Sequence, residues 1–445
     1  LPDEQRLEEK METLGAADMD RLAETIATFH RNRPAEPPSH GFRSRLQNVL
    51  NTIRTVGGMD FEAALHSLLS SNRKTLNTRR FHEVDGHGDL RPDHIYLSDD
   101  AVNIIDCVEF SADIRQVDPY EDLAFATMGL RLNHRPDLAR HLALSYLHRM
   151  CDVRGFLLMD LYEIYRAAVR LMVDALQLKE AGGENRADYL RRRSEAYASL
   201  IEDLISGKKS IHNGNRRQLQ GLGKATATDG GGSGSPHAIG WKGPLLILLA
   251  GLPATGKSRI AALIREEGIP VLSSDVLRKK DDTRPEMRKP EAYGQGSYSS
   301  KKKMLNYRKL MCQAGRLFEK ESVVCLDASF SRAQYRNLAY RMVSRSRPAM
   351  DILILQTDCS EEIIRRRLDK RKTRPGFSDL TDFDTWKKLK ENFESVDLTV
   401  EGDRFHSASG ARLHHLILDT SGEKRTSISP ELKQMVPHLF LKRQS

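Results

Sequence analysis

Cysteine is scarce, with five residues in 445, at Cys107, Cys151, Cys312, Cys325 and Cys359, and no C-x-x-C pair among them. An odd number at these spacings excludes a disulfide framework and a zinc ribbon. The thiols read as reduced, so the expected location is cytoplasmic. Long apolar runs are missing as well. The longest, residues 245–250 with its flanks, is far below the ~20 residues of a membrane span, so no membrane partner is expected. The first ten residues are mixed and acidic, without the basic and apolar regions of a secretory signal. Aromatic residues make up 6% of the chain, few for a platform that stacks single-stranded bases. Negative charge is in deficit: 70 Lys and Arg against 61 Asp and Glu leave +9, which favours anionic partners without singling out nucleic acid. The chain starts at Leu rather than Met, which reads as a missing N-terminal part. There is no repeat with a period of 20–50 residues.

What is present is enough to build cores. The chain is 39% hydrophobic and 29% charged, and its length suits two to four domains. One break divides it. Residues 225–235 (ATATDGGGSGS) have the small, polar composition of a flexible linker. This places a first domain at 1–220, a linker at 221–240 and a second domain at 241–445. In the first half, Met19, Leu22, Ile26 and Phe29 share one helix face. Segments 41–54, 60–70, 138–150, 156–177 and 187–205 are also helical in pattern, and strand-like residues occur only around His87 and at 102–106. The second half alternates, with strands at 244–250, 269–273, 323–327, 351–357 and 415–419. Helical patterns at 258–267, 303–320, 332–344 and 361–371 separate them. Such alternation predicts βαβ units around a parallel sheet. The expected fold class is α/β, a mainly helical domain followed by a parallel sheet flanked by helices.

Gly251, Leu252, Pro253, Ala254, Thr255, Gly256, Lys257 and Ser258 form G-x-x-x-x-G-K-S between an apolar strand and a helix, the setting in which this pattern cradles phosphates. The glycines let backbone N–H groups curl around phosphate oxygens, and the helix N-terminus adds its dipole. Lys257 is placed for the β- and γ-phosphates and Ser258 for the metal, so ATP and Mg²⁺ are the expected cofactors. The second strand leads into Asp275 and, one helical turn on, Arg278. Residues just past the carboxyl ends of strands line the ligand crevice of an open α/β sheet. Asp275 is therefore a candidate base toward an acceptor hydroxyl, and Arg278 a candidate holder of an anionic acceptor group. The alternative for Asp275 is a helix N-cap. Asp327 closes the third strand in a Walker-B-like position, where it either assists Mg²⁺ or caps the following turn.

Residues 363–376 (IIRRRLDKRKTRPG) carry seven basic residues against one acid. A helix so rich in Arg, ending in Pro-Gly, fits a mobile lid that brings a guanidinium to the transferring phosphoryl group. Arg367, Arg371 and Arg374 are the candidates; for any single arginine the alternative is a solvated face. From Trp241 to about Gly422 these motifs resemble the AAA-domain P-loop kinases, relatives of polynucleotide kinase, zeta toxin and gluconate kinase. The resemblance implies Asp275 as the base and a lid arginine on the donor phosphates. It leaves the acceptor open, because that family phosphorylates sugars, nucleic-acid ends and nucleotide sugars.

In the first half, VDGHGDLRPDHI at 84–95, Ile104-Ile-Asp106 and VDPYEDLA at 117–124 set carboxylates on consecutive strand–loop elements, as a phosphotransferase requires. From about Leu22 to Ile205 this pattern resembles the aminoglycoside phosphotransferase family, whose fold is kinase-like. The resemblance implies Asp89 as catalytic base and Asp106 as a Mg²⁺ ligand. His94 stands where that family has a metal-binding Asn, and imidazole suits Mg²⁺ less well than an amide oxygen. Asp118 and Asp122 are expected to hold the catalytic loop in shape. A zinc site from His82, His87, Asp93 and His94 lacks further ligands at suitable spacing. The 86 residues before His87 read as helices, so the strand lobe with a Gly-rich loop and an ATP-binding Lys is expected to be missing. This half alone should then bind ATP poorly.

The expected activity is ATP-dependent phosphoryl transfer to an unidentified hydroxyl-bearing acceptor through the second half, with the first half an incomplete second module. Two alternatives remain. One is a 5′-hydroxyl nucleic-acid kinase, motivated by the basic balance and by Lys301, Lys302 and Lys303. The other is an ATP-binding regulator that transfers nothing.

Overall fold

The computed structural model describes residues 1–35, 41–79, 82–214, 244–281, 300–345, 349–373, 380, 382–398, 401 and 412–421. Two compact units divide the chain, Leu1–Asn213 and Gly214–Ser445. The Gly/Ser-rich stretch at 225–235 and the candidate Arg374 lie outside the described residues.

The first unit is mainly helical. Helices α1 (Ala16–Arg31), α2 (Phe42–Thr52) and α3 (Glu62–Arg79) precede two small antiparallel ribbons. In these, β1 (Val84–Asp85) pairs with β4 (Gln116–Val117) and β2 (Ile95–Leu97) with β3 (Val102–Ile104). The short α4 (Ala112–Arg115) lies before β4. Next come α5 (Pro119–Leu132), α6 (Pro136–Met150), α7 (Val153–Phe156), α8 (Met159–Lys179) and α9 (Glu184–Ile205). Helix α5 escapes the sequence reading. Residues 119–130 of it are all buried, because α5 packs against both α6 and α8. A helix enclosed on all sides has no polar face and shows no amphipathic period. Its start is nonetheless encoded: Pro119 occupies the first turn, and the Asp118 carboxylate accepts from the Tyr120 amide at 2.9 Å.

The second unit is a five-stranded parallel sheet in the order β6-β7-β5-β8-β9. Its elements are β5 (Leu245–Ala250), α10 (Lys257–Glu266), β6 (Val271–Ser273), α11 (Ser274–Asp281), α12 (Ser300–Leu317), β7 (Val323–Asp327), α13 (Ala333–Ser344), β8 (Asp351–Asp358), α14 (Glu361–Thr373), α15 (Phe383–Glu391) and β9 (Leu413–Asp419). Strand β5, LLILLA, lies between β7 and β8 and is buried along its whole length. That accounts for a continuous apolar run rather than an alternating one. Each fully buried Leu or Ile contributes about 1.5–3 kcal/mol relative to exposure, so this strand is a firm anchor for the loop at its carboxyl end. Strand β6 is two residues shorter than the sequence predicts. It starts after Pro270, which has no N–H to give a ladder. Helix α12 starts three residues before the expected position, and α15 was not foreseen.

Register fixes where the loops emerge. Leu249 pairs with Asp327, and Asp327 pairs with Ser273. Gly251, Asp275 and Asp327 therefore leave the sheet at one edge, at the carboxyl ends of β5, β6 and β7. Among the described residues no helix is long and apolar enough to cross a membrane.

Candidate active site

The loop between β5 and α10 is bent by three residues with positive φ: Gly251 at 136°, Ala254 at 67° and Gly256 at 92°. A Cβ at Gly251 would stand 2.5 Å from Thr357 Oγ1 and 2.7 Å from the Thr357 carbonyl oxygen, so backbone closeness as well as conformation demands glycine. Ala254 is the exception, a residue with a Cβ in left-handed space, and such strain persists only where neighbours hold it. They do. The Trp386 indole N–H donates to the Pro253 carbonyl at 3.0 Å, and Arg367 Nη1 donates to the Ala254 carbonyl at 3.0 Å. Arg367 Nη2 also donates to the Thr420 carbonyl at 2.6 Å. The Thr420 hydroxyl donates to the Thr255 carbonyl at 2.6 Å, and the Thr255 hydroxyl to the Leu252 carbonyl at 2.7 Å. These bonds fix the loop's shape from both flanks, and the Gly251 and Thr255 amides are themselves bonded, to the Ser329 carbonyl at 3.1 Å and the Leu252 carbonyl at 3.4 Å.

Lys257 Nζ donates to the carbonyls of Gly251 and Leu252 at 2.9 and 2.8 Å. Burial lowers its pKa, while the charges of Asp327 and Asp275 oppose that shift. Ser258 is exposed, at the second position of α10. Burial raises the Asp327 carboxyl to about 6; Lys257 pulls it back and Asp275 pushes it further up. No hydrogen bond from the described residues reaches the Asp327 carboxylate, so it does not cap the following turn. Asp275 lies inside the first turn of α11 rather than ahead of it, half-exposed, with Arg278 Nη2 at 3.9 Å. Its charge acts on Lys257, Asp327 and Arg371 alike, which places the four groups around one space.

The three lid candidates separate. Arg367 is committed to the loop and to Thr420. Arg371, one helical turn on, has a buried Nη1 with no hydrogen-bond partner. Burial lowers its pKa, Asp275 opposes the shift and Arg367 adds to it. An orphaned charged donor costs at least about 1–3 kcal/mol, a cost that a phosphate oxygen would remove. Arg374 is outside the described residues. The arrangement therefore fits a magnesium nucleotide: a cradle that tolerates no Cβ at Gly251, an ammonium, an orphaned guanidinium and an unbonded carboxylate. Trp386 and Thr357 escape the sequence reading. The signals were a tryptophan in a chain that has two, and a threonine next to the end of a strand with an apolar centre.

In the first unit, β1 and β2 bracket the loop that carries Asp89. The Asp122 carboxylate accepts from the amides of His87 at 2.7 Å and Gly88 at 2.9 Å, and from His30 Nε2 at 3.0 Å. Burial disfavours its charge, but His30, the Arg166 guanidinium and the His87 amide outweigh that and hold the Asp122 carboxyl down at about 2. Asp118 accepts from Arg79 Nε at 2.5 Å. Asp122 thus bonds the loop directly, whereas Asp118 bonds Arg79 and the start of α5. Asp89 itself accepts from Arg91 Nε at 3.1 Å. His94 Nδ1 must donate to the Asp89 carbonyl, 2.9 Å away, which leaves Nε2 to accept from Arg91 Nη2 at 2.8 Å. Neither ring nitrogen is then open to a metal. Asp106, at φ 57°, is mostly exposed, 4.0 Å from His94. Among the described residues no group of three or more His, Cys, Asp or Glu is placed to hold a metal ion.

Residues 246–396 match the family model of the AAA domain. The second unit therefore carries an AAA domain. Among curated proteins, uncharacterized proteins of Mycobacterium tuberculosis and Mycobacterium bovis are 26% identical over 363 residues, covering 78% of this chain. The chain spans 64% of the length of these relatives. Three solved structures are similar at low TM-scores. A sugar kinase from Janibacter sp. has TM-score 0.30 and 15% identity over 45% of this chain and 99% of its own. For choline kinase from Cryptosporidium parvum the values are 0.31, 10%, 48% and 72%. For the Plasmodium vivax ethanolamine kinase they are 0.27, 14%, 43% and 60%. What the AAA domain adds to the geometry is the P-loop context.

Proposed function

We propose that the protein is an ATP-dependent phosphotransferase that moves the γ-phosphoryl group to a hydroxyl acceptor through its AAA domain. The observation that carries this reading is the convergence of Lys257, Asp275, Asp327 and Arg371 at the carboxyl edge of the sheet, beside a glycine cradle. The remaining amides of the loop between Gly251 and Ser258 and the Lys257 ammonium would hold the phosphates. Ser258 and Asp327 would hold Mg²⁺. The bound nucleotide supplies the phosphoryl group and a good leaving group, ADP. Asp275 takes the proton of the acceptor hydroxyl, whose oxygen bonds to phosphorus as the bond to the β-phosphate oxygen breaks. Arg371 bears on the charge that gathers on the transferring group. Asp89 and Asp106 would belong to an incomplete aminoglycoside phosphotransferase-like module at 1–220, joined by the linker at 221–240 to the domain at 241–445.

A location in the cytoplasm agrees with five free thiols. Transfer of ³²P from γ-labelled ATP to a panel of sugars, nucleosides and oligonucleotides tests the activity. Lys257→Ala should abolish Mg·ATP binding by calorimetry, and Asp275→Asn should retain binding while losing about 10²–10⁴-fold in transfer. Transfer unchanged in both variants would overturn the reading.

A further inference from the structure

Beside Asp275 lies a second group of charges that the phosphate cradle does not use. Of the three consecutive lysines at the start of α12, Lys301 and Lys302 are exposed, whereas Lys303 is half-buried. Its Nζ stands 5.4 Å from the centroid of the Tyr335 ring. Tyr335 is stacked on Tyr307 at 4.3 Å with the ring planes 5° apart. The Tyr307 hydroxyl is fixed in turn, accepting from the Phe330 amide at 3.0 Å and bonding Ser329 Oγ at 3.2 Å. The ammonium therefore rests on a rigid aromatic platform rather than in open solvent.

Its surroundings are cationic. Burial and the neighbouring Arg332 both disfavour its charge, and Asp275 favours it. Among the described residues neither Lys303 nor Arg332 has a carboxylate partner in an ion pair. Arg332, exposed at the start of α13, and Lys303 on its tyrosine platform present two positive charges that an anion would be drawn to. One helical turn along α12, Asn306 Nδ2 donates to the Ser274 carbonyl at 2.8 Å, tying this helix to the residue before Asp275. That bond fixes the amide orientation and leaves Asn306 Oδ1 buried with no donor. A ligand hydroxyl is a suitable donor for it.

Resting on the phosphotransferase reading, we propose that Lys303, Arg332 and Asn306 form the acceptor subsite, and that the acceptor is a small alcohol carrying its own phosphate group. Lys303 and Arg332 hold the acceptor's existing phosphate, Asn306 Oδ1 accepts from a hydroxyl, and Asp275 faces the hydroxyl to be phosphorylated. Tyr307 and Tyr335 are positioning residues that keep the ammonium in place.

The test uses the full chain with its P-loop saturated by Mg²⁺ and a non-hydrolysable ATP analogue, and inorganic phosphate as the probe. Calorimetry should find one phosphate site in the millimolar range, weakened at least fivefold by Lys303→Met and by Arg332→Gln and largely retained in Lys303→Arg. The Kd for the magnesium nucleotide should stay within twofold of the parent in each variant, which controls for folding. Ribose 5-phosphate should displace the phosphate while ribose does not. No phosphate binding to the nucleotide-loaded protein, or binding indifferent to both substitutions, would overturn the proposal. So would displacement by a single-stranded hexanucleotide but not by ribose 5-phosphate. Failure of the analogue itself to bind would instead overturn the phosphotransferase reading on which the proposal rests.

Discussion

Arg367 Nη1 donates to the carbonyl oxygen of Ala254 at 3.0 Å, joining α14 to the one phosphate-loop residue that has a Cβ and a left-handed backbone. One turn further along the same helix, Arg371 has a buried Nη1 without a partner. Two arginines that are alike in sequence thus differ in their bonds: one is committed to the loop, the other keeps a buried donor without a partner.

Substitution should separate them. Arg371→Ala is expected to lower kcat by about 10³-fold or more, with the Kd for Mg·ATP changed much less, as for an arginine that meets charge in the transition state. Arg367→Ala should instead raise the Kd for Mg·ATP at least tenfold and lower Tm, because three hydrogen bonds to the loop and to Thr420 are lost. Calorimetry and single-turnover kinetics on both variants give the comparison. Equal effects on kcat and Kd in the two proteins would remove the distinction.

Trp386 reports on the loop directly, since its indole N–H is bonded to Pro253. In a Trp241→Phe background, addition of Mg·ATP should shift the emission of Trp386. Trp386→Phe keeps the ring contact with Phe383 but loses the donor, and is expected to weaken nucleotide binding by about 5–10-fold, from a bond worth about 1 kcal/mol. An emission spectrum that saturating nucleotide leaves unaltered would show that the bond to Pro253 is not sensitive to occupancy.

Gly251→Ala should be more severe than its single methyl group suggests. The new Cβ would meet Thr357 atoms at 2.5 and 2.7 Å, one of them backbone, at φ 136°. A loss of about 1–3 kcal/mol in unfolding free energy is expected, together with loss of Mg·ATP binding. Urea denaturation and calorimetry measure the two effects, and a variant that binds nucleotide normally would contradict the geometry.

Asp122 gives a pH dependence. Its carboxyl is held at about 2 in the folded protein against 3.8 ordinarily. A depressed pKa contributes stability that is complete above the unfolded value and is lost as pH falls through the folded one. About 2 kcal/mol should disappear between about pH 4 and pH 2. Asp122→Ala should destabilise the protein by about 3–5 kcal/mol at pH 7, since it strands the donors on His87, Gly88 and His30. Across that range the stability gap between the parent and the variant, from urea denaturation, should narrow by about 2 kcal/mol toward the acid end; a constant gap would exclude the assignment.

How far the sequence could be read depended on distance along the chain. The glycine-rich loop, the apolar strand before it, Asp327 at the end of β7 and Asp275 just past β6 were all legible, because each is a local pattern of glycine, period or strand end. The parallel sheet followed from the alternation of those patterns. Helix α5 was not legible, because enclosure on every side erases the period that marks a helix. Asp275 remained open between an acceptor base and an N-cap until the start of α11 was known.

Local chemistry, then, determined that this chain has a glycine-bent loop between an apolar strand and a helix, with carboxylates at neighbouring strand ends, since glycine spacing and strand ends act within a few residues. Tertiary structure alone decided which arginine supports the loop and which faces the site, and that Trp386 and Thr357 belong to it. Those contacts join residues more than a hundred positions apart. Their outcome depends on helix phase and on which carbonyls come within reach, and neither is written in any local run of sequence.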